Sequence, residues 1–191
     1  MAALFTRLNG RLPGLWHALL LAGALAGALW LAARVDALYL AAGHPVSHAK
    51  GQLAFSATRI ESHFAAMEAA GTLHLYAASQ RLDFALIAAI ALVAVLAGSF
   101  LARLGGPGSR GWQAGLTGAW LGVAGAVMDA AENLASFAML SSAQAIPQAL
   151  ALAYSSFAAA KFACLGLAVV AFLVALLVGL VERLAGAYRP R

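Results

Sequence analysis

Charge is scarce in this chain. Asp, Glu, Lys and Arg make up 10% of the residues, against about 25% in a soluble globular domain. Together with 63% hydrophobic residues, this excludes an ordinary water-facing surface and implies a polytopic membrane protein. Cysteine is nearly absent: Cys164 stands alone, so no intrachain disulfide can staple any segment. Lysine is rarer than arginine, with only Lys50 and Lys161 among the 12 basic residues. The arginines stand singly at the ends of apolar runs, so the net charge of +5 is not a nucleic-acid footprint. No G-x-S-x-G, S-x-x-K, H-E-x-x-H or P-loop motif occurs, so the common signatures of serine, zinc-protease and nucleotide chemistry are missing.

Long uncharged runs are what the chain does have. They cover residues 12–33, 84–102, 111–128 and 162–181, each close to the roughly 20 residues a helix needs to cross a bilayer. The pattern predicts an all-α fold, a four-helix transmembrane bundle with spans at about 12–34, 83–103, 111–138 and 157–181, forming a single membrane domain. The first run is longer than a signal-peptide core, which favours retention over cleavage. Gly105-Gly106-Pro107-Gly108 makes the second connection a tight loop and spans two and three antiparallel neighbours.

Arg7, Arg11, Arg103, Arg110, Arg183, Arg189 and Arg191 collect at one set of span ends, whereas residues 141–156 carry no charge. The positive-inside rule then puts both termini in the cytoplasm and residues 35–82 and 141–156 outside, in what is read as a bacterial inner membrane. Within 35–82, Gly43-His44-Pro45 breaks regular structure. From Ser47 the positions of Leu53, Ile60, Phe64 and Met67 predict an additional amphipathic helix over about 47–70, between spans one and two, with Gly71 as its stop. A further helical stretch from near Thr72 leads into span two and carries Tyr76, Gln80 and Asp83 on one face.

Span three holds a glycine ladder. Gly111, Gly115, Gly118, Gly122 and Gly125 step by 4, 3, 4 and 3 residues, and the same stepping reaches Asp129, Glu132 with Asn133, and Ser136. A stripe without side chains lets helix backbones approach closely, so the acids should point into the bundle and not into lipid. Gly23 and Gly27 form a similar GxxxG pair in span one, and Lys161, Cys164, Ala168, Ala171 and Ala175 a small-residue stripe in span four.

With the spans at equal depth, Asp83, Asp129, Glu132 and Lys161 meet in one layer near the outer face. Tyr76, Gln80, Asn133, Ser136, Ser155 and Ser156 are placed to join it, and Lys161 is expected to pair with Asp129 or Glu132. Intramembrane acids are costly and mark candidate sites, although an ion pair can equally lock helix register. His44, His48, His63 and His74 fall in the outside segment, with His17 near the start of span one. They raise a metal-dependent hydrolase, with Asp83 or Asp129 as a further ligand. The spacing argues against it: Pro45 follows His44, and a continuous helix holds His48 and His63 about four turns apart. No metal or other cofactor is therefore predicted.

Tyr76 and Asp83 leading into span two, Asp129-Ala130-Ala131-Glu132-Asn133 in span three and Lys161 opening span four resemble a group of uncharacterised bacterial four-span membrane proteins. The likeness covers the chain from about residue 50 and implies no known activity, only that these six residues belong together. The combined reading is a non-catalytic integral membrane protein. Its polar layer stabilises the bundle or binds a small polar ligand or lipid head group. A small transporter or proton-conducting component is the alternative, and a lipid-directed intramembrane hydrolase the second. Membrane lipids are the expected partners, nucleic acid is not, and a homo-oligomer or larger membrane complex stays open.

Overall fold

The structure, a computed structural model, describes residues 1–187; Arg189 and Arg191, which entered the topology reading, lie outside the described residues. Among the described residues seven helices follow one another: α1 (Ala2–Arg11), α2 (Gly14–Ala41), α3 (His48–Gln52), α4 (Ala57–Ala69), α5 (Leu73–Gly105), α6 (Arg110–Leu140) and α7 (Gln148–Ala187). No strand occurs among the described residues. Four helices, α2, α5, α6 and α7, are long and apolar enough to cross a membrane. Each runs past the end of the apolar span read from the sequence, so α7 already contains Ser155 and Ser156 instead of following them. The chain divides into two compact units, Met1–Gly27 with Ala89–Gly125 and Ala163 onward, and Ala28–Ala88 with Ala126–Phe162.

In the first unit, the glycine ladder is wholly buried. A Cβ built on Gly98 of α5 would lie 2.5 Å from the Gly115 carbonyl oxygen of α6, and one on Gly115 2.6 Å from the Gly98 oxygen. A Cβ on Gly111 would lie 2.8 Å from Gly179 Cα of α7. Backbone therefore packs on backbone across both contacts, as small-residue interfaces allow. The GxxxG pair of α2 differs: nothing lies within 4 Å of a Cβ at Gly23 or Gly27, and both are exposed.

An unexpected helix, α1, precedes the first span. Pro13 disfavours the helical region for Leu12, which is extended at φ −100° and ψ 114°, and this separates α1 from α2. Phe5 of α1 is fully buried against Ala102 and Ala119 and meets Trp112 edge-on at 6.4 Å. Arg103 caps the end of α1, donating to Leu8 O at 3.2 Å, to Leu12 O and to Asn9 Oδ1 at 2.9 Å. At the start of α6, Glu182 accepts from the Arg110 and Gly111 amides at 3.0 and 3.1 Å, filling orphan donors of that helix end. His17 is fully buried in α2, its Nε2 3.1 Å from both Leu96 O and Ser99 Oγ of α5.

In the second unit, the core gathers Tyr39, Ile60, Phe64, Met67, Tyr76, Met139, Ile146 and Tyr154. The single helix expected over 47–70 is two helices, α3 and α4, separated by residues 53–56. Phe55 turns the chain at φ 50°, and extended Ser56 caps α4 by accepting from the Arg59 amide at 3.4 Å. Leu53, counted on the apolar stripe, falls in this break and is 39% exposed, while Ile60, Phe64 and Met67 are buried as expected. Neighbouring helices hold the break. The Phe55 amide donates to Ser155 Oγ at 3.0 Å, and Gln148 accepts from the Ala57 amide and donates to Phe55 O. Glu61 accepts from the Ile146 amide at 2.7 Å. Gly71 ends the segment at φ 71°, where only glycine is unstrained.

Candidate functional site

Three helices of the second unit deliver charge to one place. Lys161 of α7 donates from Nζ to Asp129 Oδ1 of α6 at 2.9 Å, and Nζ lies 2.6 Å from Glu132 Oε2 without the alignment of a hydrogen bond. Asn133 Nδ2 donates to Asp83 Oδ2 of α5 at 2.7 Å. One helical turn further on, Ser136 Oγ lies 3.1 Å from the Tyr76 hydroxyl. All seven side chains are buried, Glu132, Asn133 and Ser136 completely. The register explains this: Asp129, Glu132, Asn133 and Ser136 share one face of α6, as do Tyr76 and Asp83 of α5. Gln80, also predicted for this layer, is buried on α5, and its Oε1 has no partner. Ser155 faces inward toward Phe55, whereas Ser156 is exposed and stands apart.

The charge balance is uneven. Asp83, Asp129 and Glu132 bring three carboxylates to one ammonium. Among the described residues four buried oxygens of the layer, Gln80 Oε1, both Glu132 oxygens and Asn133 Oδ1, have no hydrogen-bond donor, although Glu132 Oε2 keeps its ionic contact with Lys161. Buried polar atoms are rarely left so, and excess buried charge is neutralised by proton uptake or by a cation. The site can therefore accept donors and positive charge.

Beside it the histidines converge, against expectation. Tyr39 stacks with His44 at 4.7 Å and with His48 at 4.4 Å between ring centroids, and His44 meets His63 at 4.8 Å. The break at Phe55 brings this about, since a continuous helix would hold His48 and His63 far apart. Tyr39 OH donates to Val46 O at 3.0 Å, and Gln52 Nε2 lies 3.3 Å from His48 Nε2. His74 is exposed and joins none of these contacts. No group of three or more His, Cys, Asp or Glu among the described residues is arranged to hold a metal ion. Asp36, Tyr39, His44 and His48 line an open recess of about 470 Å³. His48 joins the recess to the charges: burial lowers its pKa, the Lys161 ammonium pushes the same way, and the Asp36 and Asp129 carboxylates push back.

Tyr39 and Gln52 belong to the histidine cluster, Tyr154 is buried in one core with Tyr39 and Tyr76, and all three were missed from the sequence. Tyr154 had a legible signal, two turns before Lys161 on the same face of α7. Tyr39 had none beyond its place at the end of the first long helix.

Burial holds His44 down to about 4, with the neighbouring His63 and His48 adding to the effect and the Val46 carbonyl opposing it. Burial lowers His63 as well, aided by Arg59. Each folded value lies below the ordinary 6.5, so the fold favours the neutral rings. Their contribution is complete above about pH 6.5 and is lost as the pH falls through the folded values, for His44 toward about 4. The unfolding midpoint should drop over that window, and His44→Phe, which keeps a stacking ring without a proton, should flatten the drop. Equal slopes for the two proteins in thermal scans from pH 7.5 to 4.5 would count against a neutral His44.

The helices and this layer define an all-α membrane protein with four candidate spans and a buried carboxylate–lysine site. No protein-family model, curated protein or solved structure matches the chain.

Proposed function

We propose that the carboxylate–lysine layer binds a small polar ligand or lipid head group that brings positive charge or N–H donors. The observation that carries this reading is the surplus of acceptors: three buried carboxylates face one ammonium, and Gln80, Glu132 and Asn133 keep oxygens without donors. A layer serving only as a lock would be better served by matched charges. The same residues also tie α5, α6 and α7, so binding and bundle stability are coupled. The α3–α4 segment is the interfacial cover of the site, in the role foreseen for one amphipathic helix. The arginine distribution supports cytoplasmic termini, with the site toward the opposite face of a bacterial inner membrane.

Methylammonium and ethanolamine at matched ionic strength, with sodium chloride as control, test the reading. Both amines should raise the unfolding midpoint of the wild type and leave Glu132→Gln unmoved. Identical responses to amines and sodium in both proteins would leave only the lock. A proton-conducting component is the second reading, favoured by the succession of titratable groups from Asp36 and His48 in the recess to Lys161 and Asp129. It requires Asp129→Asn to slow proton flux in proteoliposomes; flux equal to that of empty vesicles in the wild type would end it.

A further inference from the structure

A second recess, of about 510 Å³, lies between α3 and α4 and is lined by Val46, Ala49, Lys50, Leu53, Ala54, Arg59 and His63. Its charged lining is entirely basic. Arg59 and His63 are four residues apart on one face of α4, and Lys50 reaches the same hollow from α3 because the chain turns at Phe55. Lys50 and Arg59 are exposed, and among the described residues their side chains enter no ion pair or hydrogen bond. The acids of this segment are directed elsewhere. Glu61 accepts from Ile146 and, with Glu68, lines a separate hollow against Ala143 and Gln144, while Asp36 lines the recess beside Tyr39. Two exposed cations and an imidazole around one concavity, without a carboxylate to quench them, are a fitting receptor for a compact dianion or monoanion.

The rim points to the kind of molecule that carries the anion. Leu53 and Phe55 are 39% and 42% exposed, beside the basic lining, in a segment that connects two candidate membrane spans. Apolar side chains next to unpaired basic ones suit a phosphate attached to hydrocarbon. We propose that this recess binds a phosphate group, with Lys50 and Arg59 as its charged contacts and His63 as a hydrogen-bond donor. The source is an anionic phospholipid head group or free phosphate. None of its lining residues is shared with the carboxylate–lysine layer.

The test uses the full chain in a neutral detergent. Dioctanoyl phosphatidic acid and inorganic phosphate are titrated separately, with dioctanoyl phosphatidylcholine and chloride as controls at equal ionic strength. Dioctanoyl phosphatidic acid should bind the wild type, and Lys50→Ala/Arg59→Ala should weaken it by about tenfold or more, the loss of two charge-assisted contacts partly screened by water. Lys50→Arg should retain binding, and Arg81→Ala, an exposed cation outside the recess, should leave it unchanged. Saturation by inorganic phosphate at a similar concentration upholds the site and assigns it to the phosphate alone. Binding of the lipid without inorganic phosphate upholds it and assigns part of the affinity to Leu53 and Phe55. Equal affinity of wild type and double variant, or no binding of either probe to the wild type, overturns it. Both substituted side chains are exposed, so the fold itself is not at stake.

Discussion

Lys161→Ala should lower stability by about 3–5 kcal/mol, because removing one partner of a buried ion pair strands the other charge away from water. Here the damage exceeds that of a simple pair: Asp129 loses its hydrogen bond at 2.9 Å, Glu132 loses its neighbour at 2.6 Å, and Asp83 remains close by as a third carboxylate. The acids should not respond alike. Asp129→Asn turns the aligned, charge-assisted hydrogen bond into one to a neutral amide oxygen and leaves Glu132 as the charged partner of Lys161, whereas Glu132→Gln keeps that bond charge-assisted and relieves the carboxylate surplus. Glu132→Gln should therefore be the milder of the two by about 1 kcal/mol or more. A Lys161→Met/Asp83→Asn/Asp129→Asn/Glu132→Gln variant should recover much of the loss, since a buried polar site without net charge avoids the stranded-ion penalty. Unfolding midpoints in a series of mild-to-denaturing detergent mixtures measure all four. A Lys161→Ala protein as stable as the wild type would remove the ion pair as a structural element.

That ion pair could be read from the sequence because two regularities fixed it. Helical spacing put Asp129, Glu132 and Asn133 on one face of α6, and the ends of the apolar runs set Asp83 and Lys161 at the same level. Neither regularity reaches across an irregular turn. Phe55 adopts positive φ without being glycine, and contacts with Ser155 and Gln148, about a hundred residues away, hold it there. Local sequence carries no mark of such a bend, so α3 and α4 read as one helix. The meeting of His44, His48 and His63 was hidden for the same reason. The α1 helix was hidden differently. It is short, and its burial depends on the single Phe5 anchored between α5 and α6.

The glycine contacts of the first unit should order themselves by what each added methyl meets. At Gly98 and Gly115 the obstacle is a backbone oxygen of the opposite helix, at 2.5 and 2.6 Å, and a carbonyl in a hydrogen-bonded helix cannot swing aside. Gly98→Ala and Gly115→Ala must then push α5 and α6 apart, at about 1–3 kcal/mol each. The two act on one contact, so the double variant should cost less than the sum: once the helices have parted, the second methyl enters space already opened. Gly111→Ala meets Gly179 Cα at 2.8 Å and belongs to the same costly group. Gly118 and Gly125 face Phe172 and the Leu165 side-chain tip instead, at 2.5 and 2.8 Å, and rotamer changes there should soften the effect. Gly23→Ala and Gly27→Ala meet nothing within 4 Å and should be neutral or gain up to about 1 kcal/mol from helix propensity. The measured quantity is the unfolding midpoint of each single variant. Equal losses at Gly23 and Gly98 would mean that glycine acts on these helices through flexibility and not through close approach. The expected separation between them means that α6 carries its ladder because α5 and α7 come near enough to exclude a methyl group.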